Sequence, residues 1–359
     1  MSIDLFAPYK IRNLEMKNRF MRSATWDGSA DDNGSATDDS VALFRELAEG
    51  RIGLIVTGHA FISRAGQAGA GQYGIYSDDM IPGLKRLVDV VHSGGGKIAV
   101  QIAHAGINSA YLESKGIETL AVSRMDDVPR PHREMTEADI EEIIDQFGAA
   151  AGRVKEAGFD AVQLHGAHGY LMSQFLSPIM NQRTDRWGCS PENRRRFHVE
   201  VVKKVRQIVG PDFPILIKFG VKDEPEDGLK IEEGIEAARA MIAAGLDGIE
   251  VSGGVGMAAV AKGEAYFRER SSALKHAVAV PVAEVGGIRS LETAQSIVDS
   301  GDADMISLSR PFIREPGLVT RWEEESNDPA RCVSCSRCFV FPRRGLPLRC
   351  GQEHRVPEE

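Results

Sequence analysis

Eight short apolar runs recur along the chain, at 20–23, 54–57, 97–101, 161–165, 215–218, 248–252, 282–285 and 305–308. Most are nearly continuous in hydrophobic residues and do not alternate, the pattern of parallel strands covered on both faces. Between them lie longer amphipathic stretches with helix start and stop signals. Thr136 with Asp139 three positions on reads as an N-cap and its acidic partner, and Ser190-Pro191 as an N-cap followed by proline at the first helical position. Gly158, Gly245 and Gly301 follow the segments before strands four, six and eight, where a left-handed C-cap is wanted. Strand–helix alternation repeated eight times predicts the α/β class and a single closed (β/α)₈ barrel over 1–322; an open doubly wound sheet is the alternative. Insertions follow strand three (108–135) and strand four (172–193), and 323–359 forms a C-terminal extension.

Composition narrows the partners. The 359 residues are 42% hydrophobic and 26% charged, with a formal net charge of −9. An acidic balance argues against nucleic acid, whose partners show a basic excess. The opening Met1-Ser2-Ile3-Asp4-Leu5-Phe6 has neither a basic nor an apolar signal region. No apolar run approaches the roughly 18 residues of a membrane span. The expectation is a soluble, cytoplasmic protein acting on a small molecule without a membrane partner; a homo-oligomer is compatible with it.

Barrel enzymes build their sites at the C-terminal ends of the strands. Here those ends lead to Ser23-Ala24-Thr25-Trp26, Gly58-His59, Gln101, His165, Lys218, Ser252-Gly253-Gly254, Gly286-Gly287 and Ser309-Arg310. Gly286-Gly287 with Ser309-Arg310, after the last two strands, is what a phosphate needs: close-approaching backbone N–H groups and a bidentate cation. A tight turn plus a surface arginine is the plainer alternative. His165, His168 and Tyr170 fall within six residues just past strand four. Two imidazoles can donate to one carbonyl oxygen while a phenol supplies a proton nearby. A lone histidine at a strand end is more often structural; three such groups together reverse that expectation.

The stretch His165-Gly166-Ala167-His168-Gly169-Tyr170-Leu171, then Gln174-Phe175-Leu176-Ser177-Pro178 and Asn181-Gln182-Arg183-Thr184-Asp185-Arg186-Trp187-Gly188, resembles the signature of the old yellow enzyme family of ene-reductases. Leu5-Phe6, Asn18-Arg19 and the Gln101, His104, Gly106 segment agree, so the resemblance covers residues 1 to about 322. It implies FMN across the barrel mouth, with Ser23, Ala24, Thr25 and Gly58 along the ring system and Gln101 and Lys218 at its pyrimidine edge. Gly286, Gly287, Ser309 and Arg310 would hold the phosphate. His165 and His168 would bind the carbonyl of an enone-type substrate, and Tyr170 would protonate its α-carbon after hydride reaches the β-carbon. NAD(P)H would be the reductant. There are departures: Lys218 stands where much of the family has arginine, Cys189 replaces a frequent glycine, Trp187 a common tyrosine, and Trp26 occupies a substrate-facing position where some bacterial members carry cysteine.

Four of the five cysteines cluster as Cys332, Cys335, Cys338 and Cys350. This is metal-type spacing, similar to the dienoyl-CoA reductase branch but one residue shorter in the middle gap. A [4Fe–4S] cluster or tetrahedral zinc would use all four thiolates; four free thiols are the alternative. Loss of one cysteine is expected to release the metal and spare FMN, whose ligands all lie on barrel strands. Competing functions are an amine dehydrogenase or N-demethylase, a flavin-free aldolase with Lys218 as Schiff base, and a non-enzymatic metal-binding barrel.

Overall fold

In the computed structural model, which describes residues 2–256 and 263–355, the eight runs form one closed parallel barrel. Its strands are β1 (Phe20–Arg22), β2 (Leu54–Phe61), β3 (Ile98–Ala103), β4 (Ala161–Gly166), β5 (Ile215–Gly220), β6 (Gly248–Ser252), β7 (Val282–Val285) and β8 (Met305–Leu308). Each pairs with its neighbour in sequence, and β8 closes onto β1 with Ile306 opposite Phe20 and Leu308 opposite Arg22. Helices α1 (Asp38–Glu49), α2 (Ile81–Ser93), α3 (Glu137–Glu156), α4 (Pro191–Val209), α5 (Ile231–Ala243), α6 (Arg268–Ala277) and α7 (Leu291–Asp299) make the crossovers, and α8 (Leu318–Glu324) follows β8.

The local signals act as their chemistry requires. Thr136 and Asp139 form a reciprocal capping box at the start of α3, and the Ser190 side chain accepts the Asn193 N–H at the start of α4. Gly158, Gly245 and Gly301 take φ of 89°, 112° and 76°, the left-handed turn that lets each helix end without a Cβ clash.

Side chains two apart on a strand face the same way, and this sorts the barrel interior into levels. Met21, Leu54, Ala99, Ala161, Leu216, Ala283 and Met305 pack together at the lower level. An antiparallel hairpin, Tyr9–Ile11 with Leu14–Met16, caps that end and adds Ile11, Leu14 and Met16 to the same cluster. Two residues further along, most inward positions are polar and buried, namely Ser23, Gln101, Gln163, Lys218, Glu250 and Ser307, while Val56 stays apolar. The barrel is therefore apolar below and polar above. The alternate residues, among them Phe20, Ile55, Val100, Leu164, Ile217, Val251 and Ile306, belong to the larger core between strands and helices.

The extension folds back toward the mouth. Its short helix Val340–Arg343 lies against the turn after β1, where a Cβ on Gly28 would come within 2.5 Å of Pro342 Cβ. The Leu348 N–H donates to the Asp27 carbonyl at 3.2 Å.

Candidate active site

A cavity of about 680 Å³ opens at the C-terminal ends of the strands, within the range of small-molecule and cofactor pockets. Ser23, Ala24, Thr25, Trp26, Gln101, His165, His168, Tyr170, Lys218, Gly287, Ser309 and Arg310 all line it. Gly58 and Gly286 lie just behind the lining. A Cβ on Gly58 would meet the Thr25 carbonyl at 2.9 Å, so this glycine lets the β1 turn cross close to β2. The Gly286 carbonyl accepts the Tyr266 N–H at 3.1 Å, which seats Tyr266 on the wall of the cavity.

The floor is a closed hydrogen-bond network. Glu250 Oε1 accepts from Ser23 Oγ at 2.6 Å and Ser307 Oγ at 2.7 Å, and Glu250 Oε2 from Gln163 Nε2 at 2.9 Å. Gln101 Nε2 donates to Gln163 Oε1 at 2.8 Å. Lys218 Nζ reaches Ser23 Oγ at 2.5 Å and pairs with Glu250 at 3.3 Å. A buried ammonium and carboxylate thus satisfy each other and their neighbours, the condition under which such charges persist in an interior. The network locks Gln101 and Lys218 in place beneath the cavity.

Above the floor, rings converge. His165 lies 4.7 Å from Tyr170 and 5.2 Å from His168, centroid to centroid, and 6.0 Å from His59. His168 Nε2 is 2.7 Å from Ser252 Oγ, and the Tyr170 hydroxyl is 3.3 Å from His59 Nε2. Burial, reinforced by the Lys218 charge, lowers the His59 pKa to about 4 and that of His168 to about 3, and holds His165 well below its ordinary value. All three are neutral at physiological pH. Burial pushes the Tyr170 phenol up to about 12, so it keeps its proton. His168 sits at φ 61°, a conformation non-glycine residues rarely adopt and one that clusters at functional sites.

From sequence, His59 lies at the end of strand two but is assigned no role in the site. Strand parity points it outward, because Val56 faces in. Between Val56 and His59 the β2–β3 register shifts, so that Val56 pairs with Ala99 and His59 with Gln101. The bulge inserts one residue and turns His59 into the mouth. Ser252, Tyr266 and Phe267 also line the cavity, as do Ser334, Ser336 and Phe339 from the extension. The lining of the cavity therefore extends beyond the barrel strands into the C-terminal extension. No local motif marks these serines; only the folding back of the extension brings them in.

On the Gly287 and Arg310 side of the lining, Ser309 Oγ is 2.8 Å from Thr25 Oγ1. Gly287 takes φ 71°, and a Cβ there would come within 2.6 Å of the Gly263 carbonyl. The cradle thus demands glycine. Arg310 extends along the lining beside Tyr266, whose hydroxyl interacts with the guanidinium.

The four clustered cysteines are free of disulfides and line one small cavity of about 20 Å³ with Arg310, Arg314 and Gln352. Among the described residues, no three His, Cys, Asp or Glu side chains are grouped so as to hold a metal ion. Burial raises the Cys338 thiol to about 11, whereas the Arg337 backbone N–H lowers that of Cys335. Among the described residues no helix is long and apolar enough to cross a membrane.

The mouth of the closed α/β barrel thus brings together Gly287 and Arg310, a buried lysine in the floor and a histidine–tyrosine cluster above it. The chain belongs to the NADH:flavin oxidoreductase / NADH oxidase family, whose model matches residues 4–329. It is 33% identical over 359 residues to an NADH oxidase of Thermoanaerobacter brockii, covering 97% of this chain and 55% of the relative. An NADPH dehydrogenase of Geobacillus sp. (strain WCH70) is 35% identical over 314 residues, 87% of this chain and 91% of the relative. Among solved structures, a 2-naphthoyl-CoA reductase in complex with 2-naphthoyl-CoA superposes with a TM-score of 0.93 at 30% identity, over 98% of this chain and 57% of that one. The chain thus spans a little over half the length of the first and third of these relatives.

Proposed function

We propose that the chain reduces the activated C=C bond of α,β-unsaturated carbonyl compounds with NAD(P)H as reductant. The observation that carries this is the charge of the cavity. Its lining holds Lys218, Arg310, three histidines and two tyrosines, and no aspartate or glutamate among the described residues. Such a surface favours a carbonyl oxygen or an anion. An alkylammonium ion would meet no counter-charge, which disfavours amine oxidation. A Schiff-base aldolase is disfavoured because a nucleophilic amine must be neutral, whereas Lys218 is ion-paired with Glu250.

FMN fits the site: glycine is required at Gly287, and the cavity is large enough. Gly286, Gly287, Ser309 and Arg310 would hold its phosphate, Gln101 and Lys218 its pyrimidine edge, and Ser23, Ala24, Thr25 and Gly58 its ring face. When bound, FMN supplies the hydride chemistry. His165 and His168, neutral through burial, donate N–H groups to the substrate carbonyl oxygen and polarise the enone. The Ser252 hydroxyl fixes the His168 ring, and Trp26 closes the substrate side. Tyr170 retains its proton until the α-carbon takes it. Cys332, Cys335, Cys338 and Cys350 would hold a [4Fe–4S] cluster, with zinc as the alternative. A single zinc ion draws its sulfurs to about 2.3 Å from one centre. Among the described residues these side chains are not grouped so as to hold a metal ion and the cavity they share is only about 20 Å³, so the spacing of the four thiols in the sequence is what supports a metal here.

The test is Tyr170→Phe, followed through both half-reactions by stopped flow. Flavin reduction by NAD(P)H should be spared, while reoxidation by cyclohexenone should slow by about 10²–10⁴-fold, the usual cost of losing a general acid. An unchanged oxidative half-reaction would remove Tyr170 as proton donor. Turnover of methylated amines in place of enones would overturn the substrate class.

A further inference from the structure

We infer that the cysteine-bearing extension is part of the flavin phosphate site, because Ser334 and Ser336 position the Arg310 guanidinium. This rests on the proposal above that Arg310 takes the FMN phosphate. Arg310 Nη1 donates to the Ser334 carbonyl at 3.0 Å and to Ser336 Oγ at 3.0 Å. Those two bonds leave the rest of the guanidinium fork, which has five N–H donors in all, free for an anion. The Tyr266 hydroxyl meets the same guanidinium. An arginine held in place before its ligand arrives loses less rotamer freedom on binding, and that difference appears as affinity.

The clamp depends on an unusual backbone. Ser334 and Ser336 take φ of 58° and 59°, left-handed values that L-residues hold only where their surroundings insist. Cys335 lies between them. Ser334 and Ser336 line the flavin cavity, Cys335 and Ser336 line the cysteine cavity, and Arg310 lines both. One three-residue turn therefore faces the cysteines on one side and the phosphate cation on the other. Ser334 and Ser336 are positioning residues that act on the cofactor through Arg310.

The experiment compares FMN with riboflavin, which lacks the phosphate, by fluorescence titration of apo-protein prepared from the full chain. Ser336→Ala removes the hydroxyl acceptor; Ser336→Gly removes it too and relaxes the left-handed backbone. Both should weaken FMN by roughly three- to tenfold, the scale of one ordinary intramolecular hydrogen bond, and leave riboflavin affinity unchanged. In an Arg310→Ala background neither should add a further loss. Unaltered FMN affinity would overturn the inference, as would equal weakening of FMN and riboflavin. Weakening in the alanine variant alone would assign the effect to backbone strain and remove the side chain's role. If Arg310→Ala itself left the FMN-to-riboflavin preference unchanged, the phosphate assignment would fall, and the inference with it.

Discussion

Three imidazoles meet at the mouth of this barrel, and burial makes each a neutral donor. Their pKa values are depressed, so protonation, and with it a change in ligand preference, sets in only as pH falls toward about 4 for His59 and about 3 for His168. Binding of a para-substituted phenolate, followed by its charge-transfer band and corrected for the phenol's own ionisation, should accordingly be flat between pH 6 and pH 8. His165→Ala and His168→Ala should each weaken it by about 1–3 kcal/mol, the cost of one donor at a buried site; unaltered titrations would refute the pocket assignment. His165, His168 and Tyr170 were legible because they share one short segment. His59 was not, because a bulge overrides the period-two rule by which strand residues are assigned a face. Cys189 illustrates the reverse case. It stands where the resembling family often has glycine, and it is exposed at φ 70°. Left-handed backbone costs an L-residue about 1–2 kcal/mol, so Cys189→Gly should raise the denaturation midpoint, by a net of about 1 kcal/mol or less after glycine's entropy. A lowered midpoint would show that the cysteine makes a compensating contact.

At the scale of elements, the long family-like segment divides into two jobs. Its first part carries the histidines and tyrosine; the second ties the loops that hold them. Gln174 Nε2 donates to the Ala105 and Gly169 carbonyls, joining the β3 and β4 loops. Asn181 Nδ2 donates to the Phe175 and Trp187 carbonyls, and Arg183 Nη1 to those of Val122 and Met135. The strands were legible from their apolar runs, but β2 continues to Phe61 and β3 to Ala103. Gly58 and His59 break the first apolar run and Gln101 the second, while the ladder carries both strands on past them. Element β7 hides one charge from sequence. Glu284 faces the helix layer, fully buried, and neither carboxyl oxygen has a hydrogen-bond partner. Burial raises its pKa to about 8, against a lowering by Arg268 and a further raising by Asp302. The folded state thus binds this proton more tightly than the unfolded chain does. The stability it contributes is complete below about 4.5 and is lost as pH rises through about 8. Glu284→Gln should flatten the fall in denaturant midpoint between pH 5 and pH 8.5, with the larger gain at the alkaline end. An identical slope in both proteins would mean the carboxyl finds a partner that water or local movement provides.

For the whole molecule the question is whether barrel and extension are separable. From sequence they look so, since the barrel pattern ends near residue 322 and the cysteine spacing stands apart. The packing ties them together: Pro342 against Gly28, Leu348 on Asp27, and Arg310 bonded to Ser334 and Ser336. Contacts between segments this far apart in sequence leave no periodic trace, which is why the link was invisible until the fold was known. It puts one expectation to the test. Cys335→Ser should release any metal centre held there, because an incomplete thiolate set holds a cluster or structural zinc poorly. If the turn around Cys335 sets Arg310, the same substitution should also weaken FMN, and by linkage FMN should help retain the metal. Anaerobic protein, with and without the substitution, can be assayed for iron, sulfide, zinc and flavin together. Unsubstituted protein with about four irons and four sulfides would establish the cluster, one zinc the alternative, and neither metal with four freely titrating thiols would remove both. The coupling has its own readout: FMN affinity should fall in Cys335→Ser while riboflavin affinity holds. Loss of metal with FMN affinity intact would show that the extension folds the same way empty, and that barrel and tail are independent after all.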